Sequence, residues 1–157
     1  MRNRQSGFTL IELTIVVGII LVVAAIALPN LLSARISADA SSAVGSLRTV
    51  NSACVTYRWT YGTGFPTALA NLGPAPAASS AAADLVDNVL ASGTKGGYTF
   101  VYTPGPVDAD GGIASYTINA NPAVSGSTGA RYFYTDESAA IRFSLTGPAG
   151  PNDPTVD

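Results

Sequence analysis

The sequence predicts an α+β chain, in which a long N-terminal helix carries a small antiparallel sheet of about four strands on its C-terminal half. Three observations carry this prediction. Residues 8–28 form an apolar run whose one charged side chain is Glu12. From Pro29 to Tyr61, apolar or small residues recur every three or four positions and draw one stripe along a helix. After Gly96-Gly97 the period changes to two, and β-branched and aromatic residues dominate, which is the pattern of half-buried strands.

Residues 1–7 read as a short basic leader, with Arg2 and Arg4 as its charges. Residues 8–28 are long enough, at about 1.5 Å per residue, to cross a hydrocarbon core of about 30 Å. Arg2 and Arg4 hold the N-terminus in the cytoplasm, so the C-terminal bulk lies outside. Glu12 is the anomaly. A carboxylate inside such a segment costs about 2.5–3.5 kcal/mol even on insertion scales, so it calls for a partner. A cut after Gly7 would give Phe8 a positive terminus able to pair with Glu12 of its own chain or of a neighbour. That pairing points to assembly.

Two simpler readings account for part of this stretch. Ala25-Ile26-Ala27 has the small-x-small pattern of an ordinary secretory cleavage site. Against it, the apolar run exceeds the usual length, contains Glu12 and flows on into a helical pattern. A plain single-pass anchor leaves both the Gly7-Phe8 junction and Glu12 without a role. Gly7-Phe8-Thr9-Leu10-Ile11-Glu12-Leu13 instead resembles the N-terminus of the type IV prepilins and the type II secretion pseudopilins. The basic leader ends in Gly, Phe and Thr-Leu-Ile-Glu follow, and Glu12 and Pro29 are the fifth and twenty-second residues after the cut. The resemblance implies a class III signal cut by prepilin peptidase between Gly7 and Phe8, with N-methylation of Phe8. It also implies that residues 8–28 pack as the core of a helical filament, and that the fold is the pilin fold. Many relatives carry a glycine where this chain has Leu21, and that glycine lets the helix unwind locally. Here the nearest glycine is Gly18, so the start of any melted segment stays open.

Residues 29–61 form the amphipathic half of the helix. Ile36, Ala40, Ala43, Val44, Leu47, Val50, Cys54, Tyr57 and Tyr61 make the stripe, while Arg35, Asp39, Arg48, Asn51, Ser52 and Arg58 fall mostly off it. Gly62-Thr63-Gly64 and Pro66 end the helix. Pro29 removes a backbone donor and is expected to kink or loosen the helix at the boundary of its two halves. A helix from Phe8 to Tyr61 would be about 80 Å long, so its first half must be covered by lipid or by copies of itself.

Residues 62–145 make the globular head. Residues 67–72 and 81–90 are candidates for short helices, with Gly73-Pro74 and Gly93 as stops. The Ala-Ser tract between them reads as a connecting loop that Leu85, Val86, Val89 and Leu90 pull back onto the head. Strands are expected at 98–102, 115–119, 131–135 and 140–145, with Asp136-Glu137-Ser138 as the tight turn between the last two. Ile141, Phe143 and Leu145 alternate, which predicts one face on a core and one in water. Residues 146–157, rich in Gly and Pro, read as a flexible tail.

Composition excludes several functions. The chain has no His, which removes the commonest acid–base and metal side chain and any Cys-x-x-Cys-His haem site. Cys54 is the single cysteine, so no intrachain disulfide forms, whereas many pilins close a C-terminal loop with one. It reads as a small buried hydrophobe. Cutting off Arg2 and Arg4 takes the net charge from −2 to −4, and the remaining basic residues are scattered, so no nucleic-acid patch forms. No nucleophile and base can be paired, and the expectation is a protein without enzymatic activity or a required cofactor.

The one constellation with metal chemistry is Asp108-Ala109-Asp110-Gly111-Gly112, a fragment of a calcium loop lacking the distal Glu. The head resembles the major pseudopilins, which bind calcium in a C-terminal loop, and that resemblance makes Asp108 and Asp110 candidate calcium ligands. Asp and Gly are equally the residues of an ordinary turn. Tyr57, Trp59 and Tyr61 read as core and helix-surface packing rather than as a sugar platform or a conductive path. The expected function is a structural subunit of a type IV pilus-like filament. Its partners are other copies of itself, prepilin peptidase, the inner membrane and the assembly platform, and it passes from inner-membrane precursor to extracellular or periplasmic filament. The alternatives are a major pseudopilin of a type II secretion system and, from another class, a monomeric membrane-anchored binding module.

Overall fold

A computed structural model describes residues 8–156. Helix α1 (Leu10–Tyr61) opens the chain, and a 3-10 turn (Leu69–Leu72) and helix α2 (Asn88–Ala91) follow. Five strands complete it: β1 (Thr94–Lys95), β2 (Tyr98–Pro104), β3 (Tyr116–Pro122), β4 (Tyr132–Asp136) and β5 (Arg142–Ser144). The chain divides into two compact units, one ending at Arg35 and the other beginning at Ile36.

In the first unit the large apolar side chains from Phe8 to Leu32 are all exposed in the single chain. The helix is long and apolar enough to cross a membrane. It passes through Pro29 without a break. The missing Pro29 donor removes one ladder bond, to the Ala25 carbonyl, and the next turn is braced by side chains. Asn30 Nδ2 donates to the Ile26 carbonyl at 3.2 Å, and Ser33 Oγ donates to the Pro29 carbonyl at 3.2 Å.

In the second unit the five strands pair in sequence order, every pair antiparallel, as a meander. The sheet packs against the C-terminal half of α1, so the α+β architecture is that expected. Period-two alternation is complete in β3, where Tyr116, Ile118, Ala120 and Pro122 point inward. Ala120 lies opposite Phe100 on one side and Phe133 on the other, so a small residue separates two rings. From α1, Ala43, Leu47, Val50, Cys54 and Tyr57 enter the same core. Leu47 and Val50 are fully buried, each side chain contributing roughly 1.5–3 kcal/mol relative to exposure.

Several expectations need correction. Among the described residues the head has five strands; β1 is only two residues long, too short for periodicity to register, and pairs Thr94 with Thr99 and Lys95 with Tyr98. The two short helices shrink to Leu69–Leu72 and Asn88–Ala91. Loop bonds replace the rest, among them Leu85 and Val86 N–H groups donating to the Leu72 carbonyl. Val89 is exposed while Val86 and Leu90 are buried. In the last strand Ile141 is buried and Phe143 half-buried, but Leu145 is exposed because pairing stops at Ser144. Residues 146–157 are not a loose tail as far as Val156. Thr155 bridges Arg142, Ala149 is buried, and Asn119 Nδ2 donates to the Ala149 carbonyl at 2.8 Å.

Candidate functional site

Helix α1 begins at a capping box. Thr9 precedes the first helical residue and Glu12 is the third, so each can satisfy a donor the other leaves open. The Glu12 N–H donates to Thr9 Oγ1 at 3.2 Å. In return Glu12 Oε2 accepts the Thr9 N–H at 2.9 Å and the Thr9 hydroxyl at 2.6 Å. Glu12 therefore has a partner within its own chain, and the carboxylate sits where the helix dipole favours negative charge. A Thr three residues earlier is the signal that sequence reasoning missed: Thr9-x-x-Glu12 before an apolar run is the sequence signature of this motif.

Phe8 precedes the box and is exposed, 78% of its surface free. Gly7, and with it the expected cut, lies outside the described residues. Severing the bond before Phe8 would place a new amine next to Thr9 and leave every atom of the capping box in place. Pro29 stands near the end of the exposed apolar surface. Gly18 and Leu21 both lie inside the unbroken helix.

The head places the acidic loop 108–112 beside the end of α1. Asp108 Oδ1 accepts the Asp110 N–H at 3.1 Å and the Gly112 N–H at 2.7 Å, and the Asp108 N–H donates to the Gly112 carbonyl at 2.8 Å. This is how an aspartate shapes a turn. The loop is held to the helix end by the Phe65 N–H donating to the Ile113 carbonyl at 2.8 Å. Gly64 makes that approach possible. Its φ is +81°, and a Cβ there would meet the Ile113 backbone nitrogen and oxygen. Asp108 and Asp110 share an open cleft with Val55, Arg58, Trp59 and Glu137. Among the described residues, no three His, Cys, Asp or Glu side chains gather into a group that could hold a metal ion.

The aromatic group at the end of α1 divides. Tyr57 is buried and donates its hydroxyl to the Ser80 carbonyl at 2.8 Å, while Tyr61 is half-buried against the Tyr57 ring at 4.8 Å. Trp59 is 84% exposed, a correction to core packing: it points off the stripe, into the open cleft.

Sequence reasoning also left Asn51 among the residues that fall mostly off the stripe, yet it is buried at the helix–sheet contact. Its Nδ2 donates to Thr135 Oγ1 at 2.9 Å, and its Oδ1 accepts the Tyr116 hydroxyl at 3.0 Å. Burial pushes the neighbouring Cys54 thiol up to about 12, against a smaller opposing pull from its hydrogen bond with Tyr116. Cys54 is thus inert as a nucleophile at neutral pH.

Comparison with curated proteins and with solved structures found no match to the chain. A comparison with family models did find one, the prokaryotic N-terminal methylation motif, on residues 2–28. Those residues include the capped helix start and the exposed apolar surface, and the chain accordingly opens with a type IV prepilin-like class III signal.

Proposed function

We propose that the chain is a non-enzymatic structural subunit of a type IV pilus-like filament. It is cut between Gly7 and Phe8, methylated on Phe8 and assembled from the inner membrane. One observation carries the reading: the methylation motif meets the N-terminal part of α1, whose large apolar side chains stay exposed as far as Leu32, while the head closes a core of its own. A bilayer covers such a surface before assembly, and copies of the same helix cover it afterwards. An apolar bundle has no directional term to set the axial offset between helices. A buried charge near the start of each helix supplies one if Glu12 of one subunit meets the Phe8 amine of the next.

Three variants, expressed in a strain lacking the native gene and checked for equal membrane levels by blotting, test this through fibre counts. Glu12→Ala leaves insertion intact and abolishes or misorders filaments. Glu12→Asp, with its shorter reach, assembles poorly. Thr9→Ala separates the two roles of Glu12: it removes the cap hydroxyl, costing the helix start about 1 kcal/mol, and keeps the carboxylate. Assembly by Thr9→Ala but not by Glu12→Ala assigns the carboxylate to the contact between subunits. Normal filaments from Glu12→Ala would overturn the registry mechanism. A neighbouring secretin gene with secretion components would favour the pseudopilin, and a retraction motor or adhesin gene the pilus.

A further inference from the structure

The sheet ends at β5, a strand three residues long. Its inner side is taken by β4, with Phe133 opposite Phe143 and Tyr134 opposite Arg142. The other side would be an open ladder edge, and such an edge is a template for strands from another molecule. The C-terminal segment occupies it. The Phe143 N–H donates to the Pro154 carbonyl at 2.9 Å, and the Val156 N–H donates to the Ile141 carbonyl at 2.8 Å, on either side of the Arg142–Thr155 bridge.

Side chains hold the segment in place. Half-buried Arg142 donates from Nη1 to the Asp153 carbonyl at 2.9 Å. Asp153 Oδ2 accepts the Gly150 N–H at 2.8 Å and closes the loop that carries Ala149 into its buried position. Val156 packs against the core. Pro148, Pro151 and Pro154 narrow the conformations open to the free segment, which lowers the entropy lost on docking. Pro154 and Val156 turn their backbone groups toward β5, so of residues 154–156 only Thr155 turns its N–H and carbonyl outward, and the segment's outer side offers too short a ladder for a further strand.

We propose that residues 149–156 are an edge guard: they fill the strand-accepting side of β5 and keep the heads of neighbouring copies from joining sheet to sheet. This goes beyond the filament reading and does not depend on it. Where a disulfide is impossible, with Cys54 the one cysteine, backbone pairing and the Arg142 contact close the C-terminus without a covalent bond. If the guard is removed, the β5 edge of a second copy takes its place.

The test begins with the intact chain in detergent micelles, read by amide hydrogen exchange. The Phe143 and Val156 amides exchange at least about tenfold more slowly than in a free peptide of residues 140–157. Exchange at the free-peptide rate would overturn the proposal without any variant. A chain ending at Thr146 then elutes from size exclusion as concentration-dependent oligomers, and the peptide 147–157 added in excess returns it to the elution position of the intact chain. An Arg142→Ala, Asp153→Ala double variant, which keeps the backbone of β5 and of the segment, speeds Phe143 exchange and shifts elution in the same direction. A truncated chain that elutes like the intact one at all concentrations would show that the edge needs no guard. Oligomers that the peptide leaves unchanged would show that their cause is unfolding and not an open edge.

Discussion

Asn51 joins α1 to two strands at once, because its amide nitrogen and oxygen face Thr135 of β4 and Tyr116 of β3. Replacing it by Ala strands two buried hydroxyls, a cost of about 2–3 kcal/mol, and lowers the melting temperature of the head by roughly 5–15 °C. Thermal denaturation of the purified variant measures this, and an unchanged midpoint would remove Asn51 from the account. Cys54 gives a pH dependence of definite sign. Its folded pKa lies above the ordinary value of about 8.5, so the folded state favours the neutral thiol. That contribution is complete below about 8.5 and is lost as pH rises toward about 12. Burial raises Tyr102 and Tyr116 in the same direction. Melting temperatures measured at increasing pH therefore fall on the alkaline side, and maleimide labels Cys54 at neutral pH only after denaturant is added. For Asp108 we propose the turn as its role: Asp108→Ala loosens loop 108–112, while millimolar calcium leaves the melting temperature of the parent unchanged. A calcium-dependent rise would restore the metal reading, since a ligand stabilises the state that binds it.

The elements differ in how far local sequence determines them. Leu47, Val50, Cys54 and Tyr57 were legible because each is apolar or small and falls on the three-four repeat. Asn51 was not, since its partners lie 65 and 84 residues away and nothing near it signals burial. Strands β2 and β3 announce themselves by alternation; β1 is too short to alternate and is held by pairing with β2 and by Lys95 Nζ donating to Asp87. Gly and Pro in the C-terminal segment read as looseness because they remove regular structure, yet the bonds that order it run to Ile141 and Phe143. Thr9-x-x-Glu12 is local and fully legible: the hydroxyl that meets the carboxylate lies three residues before it. The junction of α1 with loop 108–112 yields its own prediction. Gly64→Ala sets a Cβ against the Ile113 backbone at a φ that only glycine adopts freely, and destabilises the head by more than about 1 kcal/mol. A denaturant midpoint equal to that of the parent would contradict the tight approach.

At the scale of the whole molecule, one chain carries an N-terminal helical stretch with exposed apolar side chains and a head with a closed core, and the methylation motif on residues 2–28 overlaps the former. From that motif we propose processing before Phe8. The intact mass of purified protein is expected to correspond to a chain starting at Phe8 and carrying one methyl group. A start at Leu28 would mark an ordinary signal peptide, and a retained Met1 a simple anchor. Assembly is the central claim, and electron microscopy of material sheared from the cell surface, with the fibres identified by mass spectrometry, tests it most directly. The account predicts long fibres that contain this chain and vanish when its gene is deleted; abundant mature protein in the membrane with no fibre containing it, on the surface or in the envelope fraction, would contradict it.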